Sequence, residues 1–119
     1  MEKYFAEFCG TLLLVLLTNG TVATARLVRS HGEGSGWLTI TAGSALAVTI
    51  AVGASFSFSG GHVNPAVTMA LAIWGFFPPN QVPWYVLAQM SGGFLGAVLV
   101  WVAFWEHWKV TADATVQRS

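Results

Sequence analysis

The sequence predicts an all-α integral membrane protein with three transmembrane helices and one re-entrant half-helix. Three observations carry that prediction. Of 119 residues, 55% are apolar and only 8% charged, with a mean hydropathy of +0.63. Soluble domains carry roughly a quarter charged residues, so this chain lacks the polar surface that water demands. No Lys, Arg, Asp or Glu occurs from residue 34 to residue 105. The apolar positions also gather into three stretches of about 20 residues or more, the length a helix needs to cross a ~30 Å hydrocarbon core. Together these exclude a soluble enzyme, a basic nucleic-acid binder and a disordered chain. The formal net charge of zero says nothing about partners. The single Cys9, inside an apolar run, excludes an intramolecular disulfide framework.

The first span is predicted over about 4–27. Glu7, Thr11, Thr18 and Thr21 fall at i, i+4, i+11 and i+14, on one helical face. Lipid cannot satisfy such a stripe, so it should face other helices or a wet cavity. Ala23-Thr24-Ala25 looks like a signal-peptide cleavage site, but Met1-Glu2-Lys3 has no positive excess, and Glu7 and Asn19 interrupt the run. A loop with Arg26, Arg29, His31 and Glu33 follows. The second span, about 37–58, starts at Trp37, an interfacial anchor by type, and carries Gly43, Ala47, Ala51 and Ala54 as a small-residue stripe for close helix approach. The third, about 82–108, begins after the breakers Pro78-Pro79-Asn80. It carries Ala88, Gly92 and Gly96 as a second small-residue stripe, with Trp101, Trp105 and Trp108 as a far interface belt. A polar tail covers 111–119.

Residues 59–77 are uncharged yet too short to span, bounded by Gly60-Gly61 and by Gly75 and two prolines. Such a piece reads as re-entrant. Asn64 is a strong N-cap and Pro65 suits the first helical position, so a helix of about 65–74 is predicted, roughly half a bilayer long. A half-helix ending mid-membrane places the positive end of its dipole there. The carbonyls of Gly60, Gly61, His62 and Val63 could line a path, because unpaired backbone at that depth must face protein or water. These residues point to a pore or a substrate site. They do not decide between the two.

Gly61-His62-Val63-Asn64-Pro65-Ala66-Val67-Thr68 resembles the first Asn-Pro-Ala box of the major intrinsic proteins, the aquaporins and glycerol facilitators. Ala6-Glu7-Phe8-Cys9-Gly10-Thr11 is similar to that family's first-helix signature. The run from Tyr85 through Gln89, Gly92, Gly93 and Gly96 to Ala97 is similar to its third helix. Order and spacing agree from about 4 to 110, and the third-helix text with His107-Trp108 looks more like glycerol facilitators than strict water channels. The resemblance implies a passive channel component for glycerol, small neutral solutes and water, in the cell membrane, with several spans and a cytoplasmic N-terminus. It implies that Asn64 donates to a passing oxygen, that Gly60, Gly61, His62 and Val63 line the path, and that Glu7, Pro65, Ala66 and Gln89 support it. It places Ser44 at a filter position, where a small side chain would widen the constriction.

The family runs through two inverted repeats, and this sequence matches one, domain 1–110. The second box with its following arginine is absent, and Val67 follows the box here. The resemblance therefore implies a partner, either a second half-repeat or another copy of the chain, alongside membrane lipid. The alternative is a non-conducting truncated product or assembly component that binds full-length channel protomers. Positive charge counts Lys3 on the N-terminal side against Arg26, Arg29, Lys109 and Arg118 on the other, which by the positive-inside rule places the N-terminus outside; the family resemblance is followed instead. No cofactor, nucleic acid or metal is expected, since no Cys, Asp or second His lies at metal spacing from His62. No arrangement of catalytic groups suggests an enzyme.

Overall fold

The computed structural model describes residues 1–111 and is helical in every regular element of that range. Helix α1 spans Glu2–Arg26, α2 Gly36–Ser59, α3 Pro65–Ile73, α4 Val82–Ala103 and α5 Trp105–Val110, with a single turn of 3-10 helix at Pro79–Gln81 before α4. The three long helices are each apolar and long enough to cross a membrane. At 1.5 Å per residue, the 25 residues of α1 reach about 37 Å, more than a hydrocarbon core.

α1 lies between α2 and α4, which hardly meet each other. Small residues set both seams. On the α4 side, a Cβ built on Gly92 would sit 2.1 Å from the Phe8 carbonyl oxygen, and one on Gly96 would sit 2.7 Å from that of Leu12. Glycine is required there because backbone meets backbone. On the α2 side, Gly43 receives Thr21, and Ala47, Ala51, Ser55 and Ser59 continue the buried face. The predicted stripe therefore runs from Gly43 to Ser59 in steps of four, and Ala54 is exposed, off the seam. Of the polar stripe on α1, Glu7 and Thr11 are buried; Thr18 and Thr21 are half-buried, and Thr21 donates to the Leu17 carbonyl at 2.8 Å.

Two contacts fix which ends lie together. Lys3 Nζ donates to Gln81 Oε1 at 2.6 Å, joining the start of α1 to the start of α4. The Val28 N–H donates to Thr111 Oγ1 at 3.1 Å, joining the end of α1 to the segment after α5.

The third span differs from the continuous helix predicted over 82–108. It ends at Ala103, turns at Phe104, and resumes as the six-residue α5. Phe104 and Trp108, half-buried, pack on the cluster of Ala23, Leu27 and Val100, while Trp101 and Trp105 are exposed. Thr111 is buried, so the first residue of the predicted polar tail is docked, and residues 112–119 of that tail lie outside the described range.

Candidate functional site

The second helix ends where the sequence places its glycines. Gly60 adopts φ +86°, a left-handed C-cap whose N–H donates to the Phe56 carbonyl, and Gly61 follows at φ +63°. Asn64 is extended, and its Oδ1 accepts from the Ala66 N–H at 2.8 Å, with Pro65 opening α3. The helix predicted over 65–74 is observed at Pro65–Ile73 with Trp74 as its cap. With Oδ1 committed to the cap, the exposed Asn64 side chain keeps its amide N–H groups for an outside acceptor. The α3 dipole, worth about half a charge, adds positive potential at the same point.

Glu7 gathers the loop. It is fully buried on α1. Its Oε1 accepts from Ser59 Oγ at 2.6 Å and from the His62 N–H at 2.9 Å. Its Oε2 accepts from the Val63 N–H at 2.8 Å and from Gln89 Nε2 at 2.7 Å. A carboxylate offers about four acceptor sites, and here all four are taken. One side chain thus ties α1 to the end of α2, to the loop and to α4.

Around this clasp stands a second ring of contacts. Gln89 Nε2 also reaches Thr68 Oγ1 at 3.0 Å, and Thr68 Oγ1 contacts His62 Nδ1 at 3.0 Å and the Asn64 carbonyl at 3.1 Å. Tyr85 donates its hydroxyl to the Ser59 carbonyl at 3.0 Å. The His62 ring packs against Phe77 and Tyr85, with centroid separations of 4.8 and 5.1 Å. Among the described residues, no donor reaches the carbonyls of Gly60, Gly61, His62 or Val63. The N–H groups of His62 and Val63 point to Glu7 while their C=O groups remain unpaired.

The structure therefore brings together Glu7, Gln89, His62, Val63 and, through Thr68, Asn64. Gly60, Gly61, Pro65 and Ala66 supply the turn and the cap. Ser44 stands apart. It lies fifteen residues before Ser59 on α2, roughly 22 Å along the helix axis. Sequence reasoning overlooked Ser59, Thr68 and Tyr85 as members of the network. The available signal was periodicity: Tyr85, Gln89, Gly92 and Gly96 fall at 0, 4, 7 and 11, and all are buried on one face of α4. Among the described residues no three His, Cys, Asp or Glu side chains converge on a metal-sized site.

Comparison with known proteins agrees with this geometry. The chain is 48% identical over 113 residues to a probable glycerol uptake facilitator protein from Thermotoga maritima, covering 95% of this chain and 48% of that protein. It is 44% identical over 114 residues to a glycerol uptake facilitator protein from Streptococcus pneumoniae, covering 96% and 49%. The X-ray structure of the aquaglyceroporin from Plasmodium falciparum superposes with a TM-score of 0.85 at 29% identity, covering 91% of this chain and 43% of that one. The chain spans about half the length of the curated relatives it matches. With the family model described as Major intrinsic protein matching residues 1–118, this chain belongs to the major intrinsic proteins, a family of membrane channels.

Proposed function

We propose that the chain forms one half of a passive pathway for glycerol, small neutral solutes and water. The observation that carries this reading is the unpaired carbonyl run from Gly60 to Val63 leading to the Asn64-capped start of α3. In a bilayer, four free carbonyls are tolerated only where they face water or protein, and a row of acceptors ending at an amide donor suits hydroxyl-bearing solutes. The donor at Asn64, backed by the α3 dipole, would turn a passing oxygen toward itself and oppose cations. Glu7, Gln89, Pro65 and Ala66 hold this arrangement, and Ser44 lines a wider part of the same path. The glycerol facilitator relatives support a polyol permeant for this chain.

One half-helix supplies one side of such a path. The reading therefore includes a partner, a second half-repeat or an inverted second copy, set in the cell membrane among its lipids, with the N-terminus of this chain cytoplasmic. Each long helix leaves surface for both neighbours, since only 22% of an apolar 18-residue stretch of each is buried within the chain.

Stopped-flow glycerol and water flux into vesicles holding the purified chain at increasing density tests the proposal. Insertion in both orientations lets inverted pairs form in that experiment. The expected result is flux that rises with density and is lost in Asn64→Asp and in the bulky Ser44→Trp. No flux at any density sinks the reading of this chain as a conducting half.

A further inference from the structure

Building on the proposed pathway, we infer that His62 contributes its side chain as well as its backbone: Thr68 locks the imidazole as the Nδ1–H tautomer, so that Nε2 offers a hydrogen-bond acceptor beside Gly60. Glu7 makes the first choice. Its Oε2 lies 2.7 Å from the Gln89 amide, so the atom facing it is the nitrogen, because an amide oxygen there would meet a carboxylate oxygen with no proton between them. The Gln89 amide nitrogen has two hydrogens, one for Glu7 and one for Thr68 Oγ1 at 3.0 Å.

Thr68 then has one proton to give and two acceptors' worth of lone pairs. Its oxygen lies 3.1 Å from the Asn64 carbonyl and 3.0 Å from His62 Nδ1. If the hydroxyl proton went to Nδ1, the Thr68 and Asn64 oxygens would face each other without a proton, and one Thr68 lone pair would stay empty in a fully buried side chain. If it goes to the Asn64 carbonyl, Gln89 and His62 both donate to Thr68 and every site is filled. The second arrangement requires hydrogen on Nδ1. Nε2 is then the atom with the lone pair.

That atom is open. It has no partner among the described residues, and unlike Thr11 Oγ1 and Gln89 Oε1 it is not sealed from solvent. A Cβ built on Gly60 would sit 3.6 Å from Nε2, so the absence of a side chain at Gly60 leaves this edge uncovered. Thr68 is a positioning residue here. The atom that meets a permeant is Nε2 of His62.

Nitrogen-15 NMR of histidine-labelled full chain in phospholipid vesicles reads the tautomer directly and needs no flux, so a failure of conduction and a wrong tautomer are told apart. His31→Gln with His107→Gln leaves His62 as the sole signal, recorded above about pH 8, where imidazole is neutral. The expected result is Nδ1–H in at least about tenfold excess, the ratio one net hydrogen bond supports. Thr68→Val should release the ring to the Nε2–H form ordinarily favoured by a free side chain, and Thr68→Ser should keep Nδ1–H. Predominant Nε2–H in the unaltered Thr68 chain, retention of Nδ1–H in Thr68→Val, or a Thr68→Ser chain that behaves like Thr68→Val overturns the inference.

Discussion

Replacing Glu7 by Gln should loosen the loop at one amide before the other. The substituted side chain would keep one acceptor oxygen and put an NH2 group where the other had been. If the NH2 replaced Oε2, it would confront the Val63 N–H and Gln89 Nε2, and Gln89 could adapt only by flipping and abandoning Thr68. If it replaced Oε1, it would confront the His62 N–H and Ser59 Oγ. Ser59 can turn its proton to the Ser55 carbonyl at 3.1 Å, so this placement is cheaper. It leaves one buried amide orphaned, at about 1–3 kcal/mol, and removes the charge assistance of two remaining bonds, at about 1 kcal/mol each. The sum is about 3–5 kcal/mol. Hydrogen exchange in lipid reads this residue by residue: the His62 amide should open at least about a hundredfold more often, since about 1.4 kcal/mol is a factor of ten, while the Val63 amide changes less. Equal protection of His62 in both chains, with unchanged thermal stability, would refute the four-donor account of Glu7.

The seams and the caps give further expectations. Gly92→Ala should separate α1 from α4, because its Cβ would meet the Phe8 carbonyl oxygen at 2.1 Å; a loss of about 2 kcal/mol or more in denaturation is expected, while Gly93→Ala, whose nearest neighbour is 3.5 Å away, should stay within about 0.5 kcal/mol. Asn64→Ala should cost about 1 kcal/mol by removing the α3 cap, seen as faster exchange of the Ala66 amide. Tyr85→Phe should cost about 1 kcal/mol through the orphaned Ser59 carbonyl, with His62 packing retained, as read by thermal unfolding in detergent.

The long elements were legible because lipid imposes a length and a composition that apolar runs display openly. The start of α3 was legible from Asn64 and Pro65, whose local chemistry dictates a helix beginning whatever surrounds it. The clasp was not legible from spacing. Glu7 meets partners 52 to 82 positions away, and only the likeness of Ala6-Glu7-Phe8 to a family signature suggested its task. The break at Phe104 has no proline or glycine to mark it; the flanking text reads as continuous helix, and the turn lies where Phe104 and Trp108 pack on the cluster of Ala23, Leu27 and Val100. Thr111 escaped notice for a similar reason, since its value lies in capping the Val28 N–H across 83 positions.

The unpaired carbonyls that would face a permeant depend on residues that never touch it. Val63 holds φ +41°, a region costly for a β-branched residue, by about 1–3 kcal/mol. Two features of α1 offset that cost. Oε2 of Glu7 takes the Val63 N–H, and the hollow at Gly10 takes its side chain, which lies so close that a Cβ on Gly10 would be 2.6 Å from Val63 Cγ1. Burying a valine side chain contributes about 1.5 kcal/mol or more, the same size as the strain. Glu7 and Gly10 stand three residues apart, on one face of α1, so the acceptor and the hollow form a single seat. Because the seat claims the N–H groups of His62 and Val63, the loop can close no local turn through them, and among the described residues no other donor reaches its carbonyls. In a bilayer that backbone must then face water or protein. The conformation of the loop is therefore built from the far side, by one turn of α1 that supplies both its acceptor and its hollow.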